Sequence, residues 1–290
     1  MKEIVIISGK GGTGKTSVAA ALASIAEKTV MADCDVDAAD LHLILEPEIR
    51  KTESFFSGVK AVIDPDKCSS CGLCESVCRF HAVSHQGVRY KIDPLACEGC
   101  GYCFHVCPVQ AISLPEQQVG YCYISATRFG CQLVHAKLEA GADNSGKLVA
   151  KVKKDAKQLA QDTDMEYVWV DGSPGIGCPV ISSLSGADFV LLVTEPTLSG
   201  MGDMQRVYEL VKQFNIPAGC LINKADINPE VADRIRDFIM QENICLVDEI
   251  PYDEDFPRAI TLGKSLVELD PGKWRERFQS IWHKVIKELT

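Results

Sequence analysis

Several things that would settle a protein's class at once are missing from this sequence. No apolar run approaches the roughly 18 residues that cross a bilayer, so nothing reads as a membrane span. Basic residues are outnumbered, 30 Lys and Arg against 40 Asp and Glu, and no basic block stands out. The resulting net charge of -10 argues against nucleic acid as a partner. Aromatics are scarce at 7%, and 22 Gly and 13 Pro in 290 residues are ordinary amounts, which excludes collagen-like and low-complexity chains. No leader precedes the opening MKEIVIISG, which reads as a strand starting near residue 3, so a cytoplasmic setting is expected. With 46% apolar residues the chain has enough to bury a sizeable core.

What the chain has in excess is cysteine, 14 residues, and in a reducing compartment clustered cysteines bind metal more often than they pair. Eight of them form two sets, Cys68, Cys71, Cys74, Cys78 and Cys97, Cys100, Cys103, Cys107, each member of the first lying 29 residues before its counterpart. The offset extends further. Asp64-Pro65 precedes the first set as Asp93-Pro94 precedes the second, and Ala82-Val83-Ser84 follows as Ala111-Ile112-Ser113 does. The segment is an internal duplication, and each copy reads C-x2-C-x2-C-x3-C. Zinc has no use for third and fourth thiolates at this spacing. The spacing puts three thiolates on a tight loop and the fourth along the next helical turn.

Over about residues 60–115 the duplicated motif resembles a bacterial two-cluster ferredoxin. That resemblance implies two 4Fe-4S clusters, with the fourth cysteine of each copy ligating the other copy's cluster. Cys68, Cys71, Cys74 and Cys107 would hold one, and Cys97, Cys100, Cys103 and Cys78 the other. The second copy ends in the family's Cys107-Pro108, whereas the first has Cys78-Arg79, a departure that leaves ligation intact and bears on solvation and potential.

At the N-terminus a strand over residues 3–8 runs into GKGGTGKT at 9–16 and then an Ala-rich helical segment over 17–27. This is G-x4-G-K-[ST] in its strand-loop-helix context. Gly9, Gly11, Gly12 and Gly14, with Thr13 between them and Ser17 after, leave backbone amides to face phosphates; Lys15 reaches the β- and γ-phosphates and Thr16 ligates magnesium. Lys10 is a second lysine at the start of the loop. KGGTGKT resembles the deviant Walker A of the MinD, ParA, Mrp and nitrogenase iron-protein group, which implies that Lys10 contacts nucleotide across a dimer interface and that ATP favours a homodimer.

Three more strand ends carry candidates. A strand over 29–32 ends in Asp33-Cys34-Asp35-Val36-Asp37. The resemblance puts Asp35 in switch I, positioning the attacking water, and Asp33 beside magnesium-bound water. A strand over 167–170 ends in Asp171-Gly172-Ser173-Pro174-Gly175-Ile176-Gly177, a Walker B pattern with Asp171 on the magnesium side and the amides of Gly175 and Gly177 free to sense the γ-phosphate. Strands over 218–222 and 246–250 end at Asn223-Lys224 and Pro251-Tyr252-Asp253. In the family Asn223 would read the adenine and Pro251 would border it.

Helical segments over 147–161, 201–214 and 230–242 alternate with these strands. The expected fold is α/β, a mostly parallel P-loop NTPase sheet with helices on both faces over residues 1–55 and 116–290. A small α+β ferredoxin-like domain is inserted at 56–115. The chain thus resembles a MinD-type ATPase carrying a ferredoxin insert. Its implied cofactors are ATP, Mg2+ and two 4Fe-4S clusters, and its implied partners a second copy of itself and a redox or metallocofactor protein. The reading is an ATPase that couples nucleotide state to electron transfer or partner docking; an Mrp-like carrier for cluster assembly and a MinD/ParA-like positioning ATPase are the alternatives.

The remaining cysteines divide. Cys178 stands seven residues after Asp171, the offset of a cluster-bridging cysteine in the nitrogenase iron protein, and is a speculative metal ligand. Residues 142–147, where its partner cysteine would stand, contain none, so a dimer would offer only two thiolates. Cys34, Cys122, Cys131, Cys220 and Cys245 lack ligand spacing; Cys220 and Cys245 read as core residues, and Cys122, Cys131 and His135 fit an ordinary strand pattern better than a common site. Residues 273–289 carry an apolar stripe, Trp274, Phe278, Ile281, Trp282, Val285, Ile286 and Leu289. The stripe fits a helix closing the sheet better than one lying on a membrane.

Overall fold

In the computed structural model, residues 1–36, 39–139 and 145–289 are described. They form two compact units. The larger holds the described residues of 1–53, 121–139 and 145–289, and the smaller holds 54–120.

The larger unit is built on a nine-stranded sheet of order β13-β12-β11-β1-β10-β2-β9-β8-β3. The strands that position the site are β1 (Lys2–Ile7), β2 (Thr29–Asp33), β10 (Tyr167–Asp171), β11 (Phe189–Thr194), β12 (Ala218–Asn223) and β13 (Cys245–Ile250). All of them pair in parallel. These strands are apolar on both faces, as a sheet covered by helices on both sides requires. Of the outer strands, β8 (Glu116–Ala126) and β9 (Gln132–Leu138) contain the strand pattern read around Cys122 and His135, whereas β3 (Glu48–Val59) was not foreseen. β3 carries a polar run, Arg50-Lys51-Thr52-Glu53, that gives no buried-strand signal.

On one face lie α5 (Ser145–Asp162), α6 (Cys178–Leu184), α7 (Leu198–Gln213) and α8 (Pro229–Gln241). α5 buries Leu148, Val149, Val152, Ala156 and Ala160, and α8 buries Val231, Ala232, Ile235 and Ile239, both at helical spacing. Asn228 caps α8, its side chain accepting from the Val231 amide, and Pro229 opens the helix. On the other face α1 (Lys15–Ala23) and α11 (Pro271–Lys287) pack into one core with Ile4, Ile6, Met31, Trp169, Phe189 and Leu191. The C-terminal stripe is spent there: Trp274, Phe278, Ile281 and Val285 are buried, and Trp282 stacks on Trp169 with centroids 5.1 Å apart. Among the described residues no helix is long and apolar enough to cross a membrane.

The smaller unit contains two five-residue helices, α3 (Leu73–Val77) and α4 (Tyr102–Val106), and two two-stranded sheets. The sheets pair crosswise. β4 (Val62–Ile63), before the first cysteine set, pairs antiparallel with β7 (Ile112–Ser113), after the second. β6 (Arg89–Ile92), before the second set, pairs with β5 (Val83–Gln86), after the first. The backbones of the two copies agree in detail. Left-handed residues recur 29 apart at Ser70 and Gly99, Gly72 and Gly101, and His81 and Gln110. The amides of Asp64 and Asp93 each donate across to the other copy, to Ala111 and Ala82, both at 2.7 Å.

Candidate functional site

In the larger unit the register of the sheet assembles the site. Ile6 of β1 lies beside Asp171 of β10, and Asp171 beside Asp33 of β2, so two carboxylates stand side by side at the carboxyl edge next to the loop that follows β1. Ligands of open parallel sheets bind at such an edge, where connections diverge. Both aspartates are about 1% exposed. Lys15, at the start of α1, places Nζ 2.6 Å from Asp171 Oδ1 and 3.5 Å from Asp35 Oδ2. Burial alone would lower the Lys15 pKa, but Asp171, Asp35 and Asp33 outweigh it and hold Lys15 above its ordinary value. Burial, with the charge of Asp171 adding to it, pushes Asp33 well above the usual carboxylate range.

The loop itself is shaped by its glycines. Gly14 has φ of 94°, and a Cβ there would stand 2.5 Å from the Asn223 amide nitrogen. Asn223, buried at the end of β12, donates to the Thr13 carbonyl at 2.8 Å, and Lys224 Nζ donates to the Gly12 carbonyl at 3.1 Å. Gly11 and Gly12 are exposed, Thr16 is half-buried, and Pro251 is exposed. Behind the loop, Ser173 donates to the Cys34 carbonyl at 2.8 Å and the Cys34 amide to the Asp171 carbonyl at 2.8 Å, tying the two acidic strand ends together.

Several buried oxygens at this edge have no hydrogen-bond partner: Thr13 Oγ1, Ser17 Oγ, Asp33 Oδ2 and Asp171 Oδ2. Buried polar atoms are ordinarily satisfied, so a set of orphans lying together marks a place built for something polar. Hydroxyls and carboxylates beside a glycine-rich loop and a lysine are the donor set for a phosphate chain with a hard divalent cation.

Two expectations meet different geometry. The Gly175 amide is not free, because it donates to the Ser8 carbonyl at 3.0 Å, and that bond must break before it can reach a phosphate. Lys10 lies within its own chain, with Nζ 2.7 Å from Glu195 Oε1 and 3.0 Å from both Thr197 Oγ1 and Ser199 Oγ. Glu195 also takes Lys224 at 2.6 Å. Burial would raise the Glu195 pKa, but the two lysines outweigh it and lower it. Glu195, at the end of β11, is the site residue that sequence reasoning missed; its position one residue beyond a buried apolar strand was the available signal.

The smaller unit contains two cavities. The first is lined by Cys68, Cys71, Cys74 and Cys107 with Ile63, Tyr90 and others. The second is lined by Cys97, Cys100, Cys103 and Cys78 with Ile92, Ala61 and others. Every lining residue of the first has its 29-residue counterpart lining the second. The Ala111 amide donates to Cys107 Sγ at 3.2 Å. Among the described residues no three His, Cys, Asp or Glu side chains form a single-ion site.

The other candidates do not assemble. Cys178 is exposed at the start of α6, and residues 142–144 lie outside the described residues. His135 pairs with Ser125 at 3.0 Å and Cys131 with Thr127 at 3.2 Å, so Cys122, Cys131 and His135 make no common site. Cys34 and Cys220 are fully buried.

The chain is similar to known proteins over most of its length. An uncharacterized protein of Methanocaldococcus jannaschii is 33% identical over 98% of this chain and 96% of its own. The septum site-determining protein MinD of Bacillus subtilis is 24% identical over 85% of this chain and 70% of its own. The MinD of Pyrococcus horikoshii complexed with Mg-ADP shares the fold with a TM-score of 0.57 at 18% identity, covering 98% of this chain and 95% of that one. Residues 4–267 match the CobQ/CobB/MinD/ParA nucleotide binding domain, and the chain belongs to that family.

Proposed function

We propose that this protein is an ATPase of the MinD/ParA type that carries two 4Fe-4S clusters and couples its nucleotide state to electron transfer or to docking of a redox partner. The observation that carries the iron-sulfur part is the pair of cavities: four cysteines around each, grouped crosswise between the copies. Four cysteines around each space, an amide donating to a cysteine sulfur and apolar side chains packed beside them suit a cluster that needs corner ligands and limited water.

In the larger unit Lys15 and the amides of residues 9–17 hold the phosphates, and Thr16, Asp33 and Asp171 hold magnesium. Magnesium, when bound, supplies positive charge against the phosphate oxygens. Asp35 orients the attacking water. Lys10 reaches nucleotide of the second copy in an ATP-dependent dimer, leaving Glu195 to do so. Asn223 and Pro251 flank the base. The nucleotide edge connects to Cys68 through α2 (Leu41–Leu45) and β3, so a shift at Asp35 has a covalent route to the cysteine unit.

Labelled iron separates this function from cluster delivery. The protein is loaded with it and mixed anaerobically with MgATP and a one-electron acceptor or an apo-acceptor protein. Electrons should move while iron stays. Transfer of the label would replace this reading with that of a carrier, and a protein that takes up no iron while hydrolysing ATP would leave a MinD/ParA-like positioning ATPase.

A further inference from the structure

One carboxylate grips the glycine-rich loop from outside. Glu195 places Oε1 2.7 Å from Lys10 Nζ and Oε2 2.6 Å from Lys224 Nζ. Lys224 in turn donates to the Gly12 carbonyl at 3.1 Å. The contacts from Lys10 through Glu195 and Lys224 to Gly12 thus close back on the loop, across the exposed Gly11. Two glycines let the start of α7 come this near. A Cβ at Gly200 would stand 2.5 Å from the Glu195 carbonyl oxygen, and one at Gly9 would stand 2.4 Å from the Asp203 carbonyl carbon.

An ammonium has three protons to donate, and Lys10 has an acceptor for each: Glu195 Oε1, Thr197 Oγ1 and Ser199 Oγ, the two hydroxyls both at 3.0 Å. A lysine so satisfied reaches another molecule only by exchanging those contacts. Lys224 makes the exchange feasible. Glu195 is 8% exposed, and a buried carboxylate stripped of every cation is strongly destabilised. Because Lys224 stays in place, Glu195 keeps one counterion after Lys10 leaves.

Resting on the ATP-dependent dimer of the reading above, we propose that Glu195 is a positioning residue that withholds Lys10 from the second copy and so sets how much ATP is needed to form the dimer. The phosphates of nucleotide bound to the second copy compete with the Glu195 carboxylate for the same ammonium. Lys224 decides how firmly Glu195 holds on, since a carboxylate with a second cation loses less when the first departs. Neutralising Glu195 and neutralising Lys224 then act in opposite directions on one measurement. Two residues that merely braced the loop would act in the same direction.

The test follows the mass of the full chain by sedimentation across a concentration series of a non-hydrolysable ATP analogue with Mg2+. Glu195→Gln should lower the analogue concentration at half-dimerisation, on the order of fivefold for a partly exposed ion pair. Lys224→Met should raise it, and Lys224→Arg, which keeps the cation, should restore the wild-type value. If Glu195→Gln does not fold, Lys224→Met set against Lys224→Arg reads the same hold. No shift in a folded Glu195→Gln, shifts of both neutral variants in one direction, or no restoration by Lys224→Arg overturns the proposal. The parent reading fails differently, by a wild type that stays monomeric at every analogue concentration.

Discussion

In the larger unit the sheet is sealed by Trp169, Phe189, Trp274 and Phe278, all essentially without solvent contact. In the smaller unit the enclosed apolar side chains are Ala61, Ala82, Val83, Ala111 and Ile112, and cysteines occupy the space between them. These are small side chains, and a unit of this size has little margin from packing alone. One unit is held by side-chain volume; on the proposed reading the other is held by clusters in its cavities, and each should fail in its own way.

Removing iron should show the largest difference. In the cluster-free protein, proteolysis should concentrate at Lys60, Lys67, Arg79, Arg89 and Lys91 while nucleotide binding by the larger unit persists. Equal cleavage of both units would erase the contrast. Phe278→Ala should do the reverse, costing about 3–5 kcal/mol in the denaturant unfolding of the larger unit with cluster absorbance unchanged. Lys15→Met should cut ATP turnover by about 100-fold or more, because it removes the phosphate-facing charge and leaves two buried carboxylates uncompensated. Iron content should not change; a loss of iron in this variant would mean the units are not separable.

The smallest effect sharpens the comparison at a single group. Burial, helped by His42, depresses His135 to about 4, below its ordinary 6.5. The unfolded chain then binds the proton more readily, so this stability is full above about pH 6.5 and is lost as pH falls towards the folded value, by about 3 kcal/mol. His135→Gln keeps a partner for Ser125 and should flatten that part of the stability-pH curve of the larger unit only. An unchanged slope would place the titration elsewhere.

The central strands and the glycine-rich loop were legible because each is short-range: a parallel buried strand is an apolar run, and Gly9 to Thr16 is a contiguous motif. The eight cysteines were legible because their spacing repeats. β3 was not, since a strand with a polar run lacks the alternation that marks a half-buried strand. Glu195 was hidden because its meaning depends on Lys10 and Lys224, which lie 185 and 29 residues away and meet it only through the sheet. The bond from the Gly175 amide to Ser8 is likewise a product of neighbouring strand ends, invisible to any local pattern.

The crosswise pairing of β4 with β7 and β5 with β6 bears on how this unit could have arisen. On the proposed ligation each copy of the repeat supplies three cysteines of one site and one of the other, and the whole of neither. A chain with one copy could complete a site only by meeting a second molecule, at whatever concentration the cell provides. Joining the copies in tandem turns that encounter into an intramolecular one, with an effective concentration in the millimolar range for a short linker. The same topology forbids simplification afterwards: deleting either copy would empty both sites together, so the duplication, once made, is locked in.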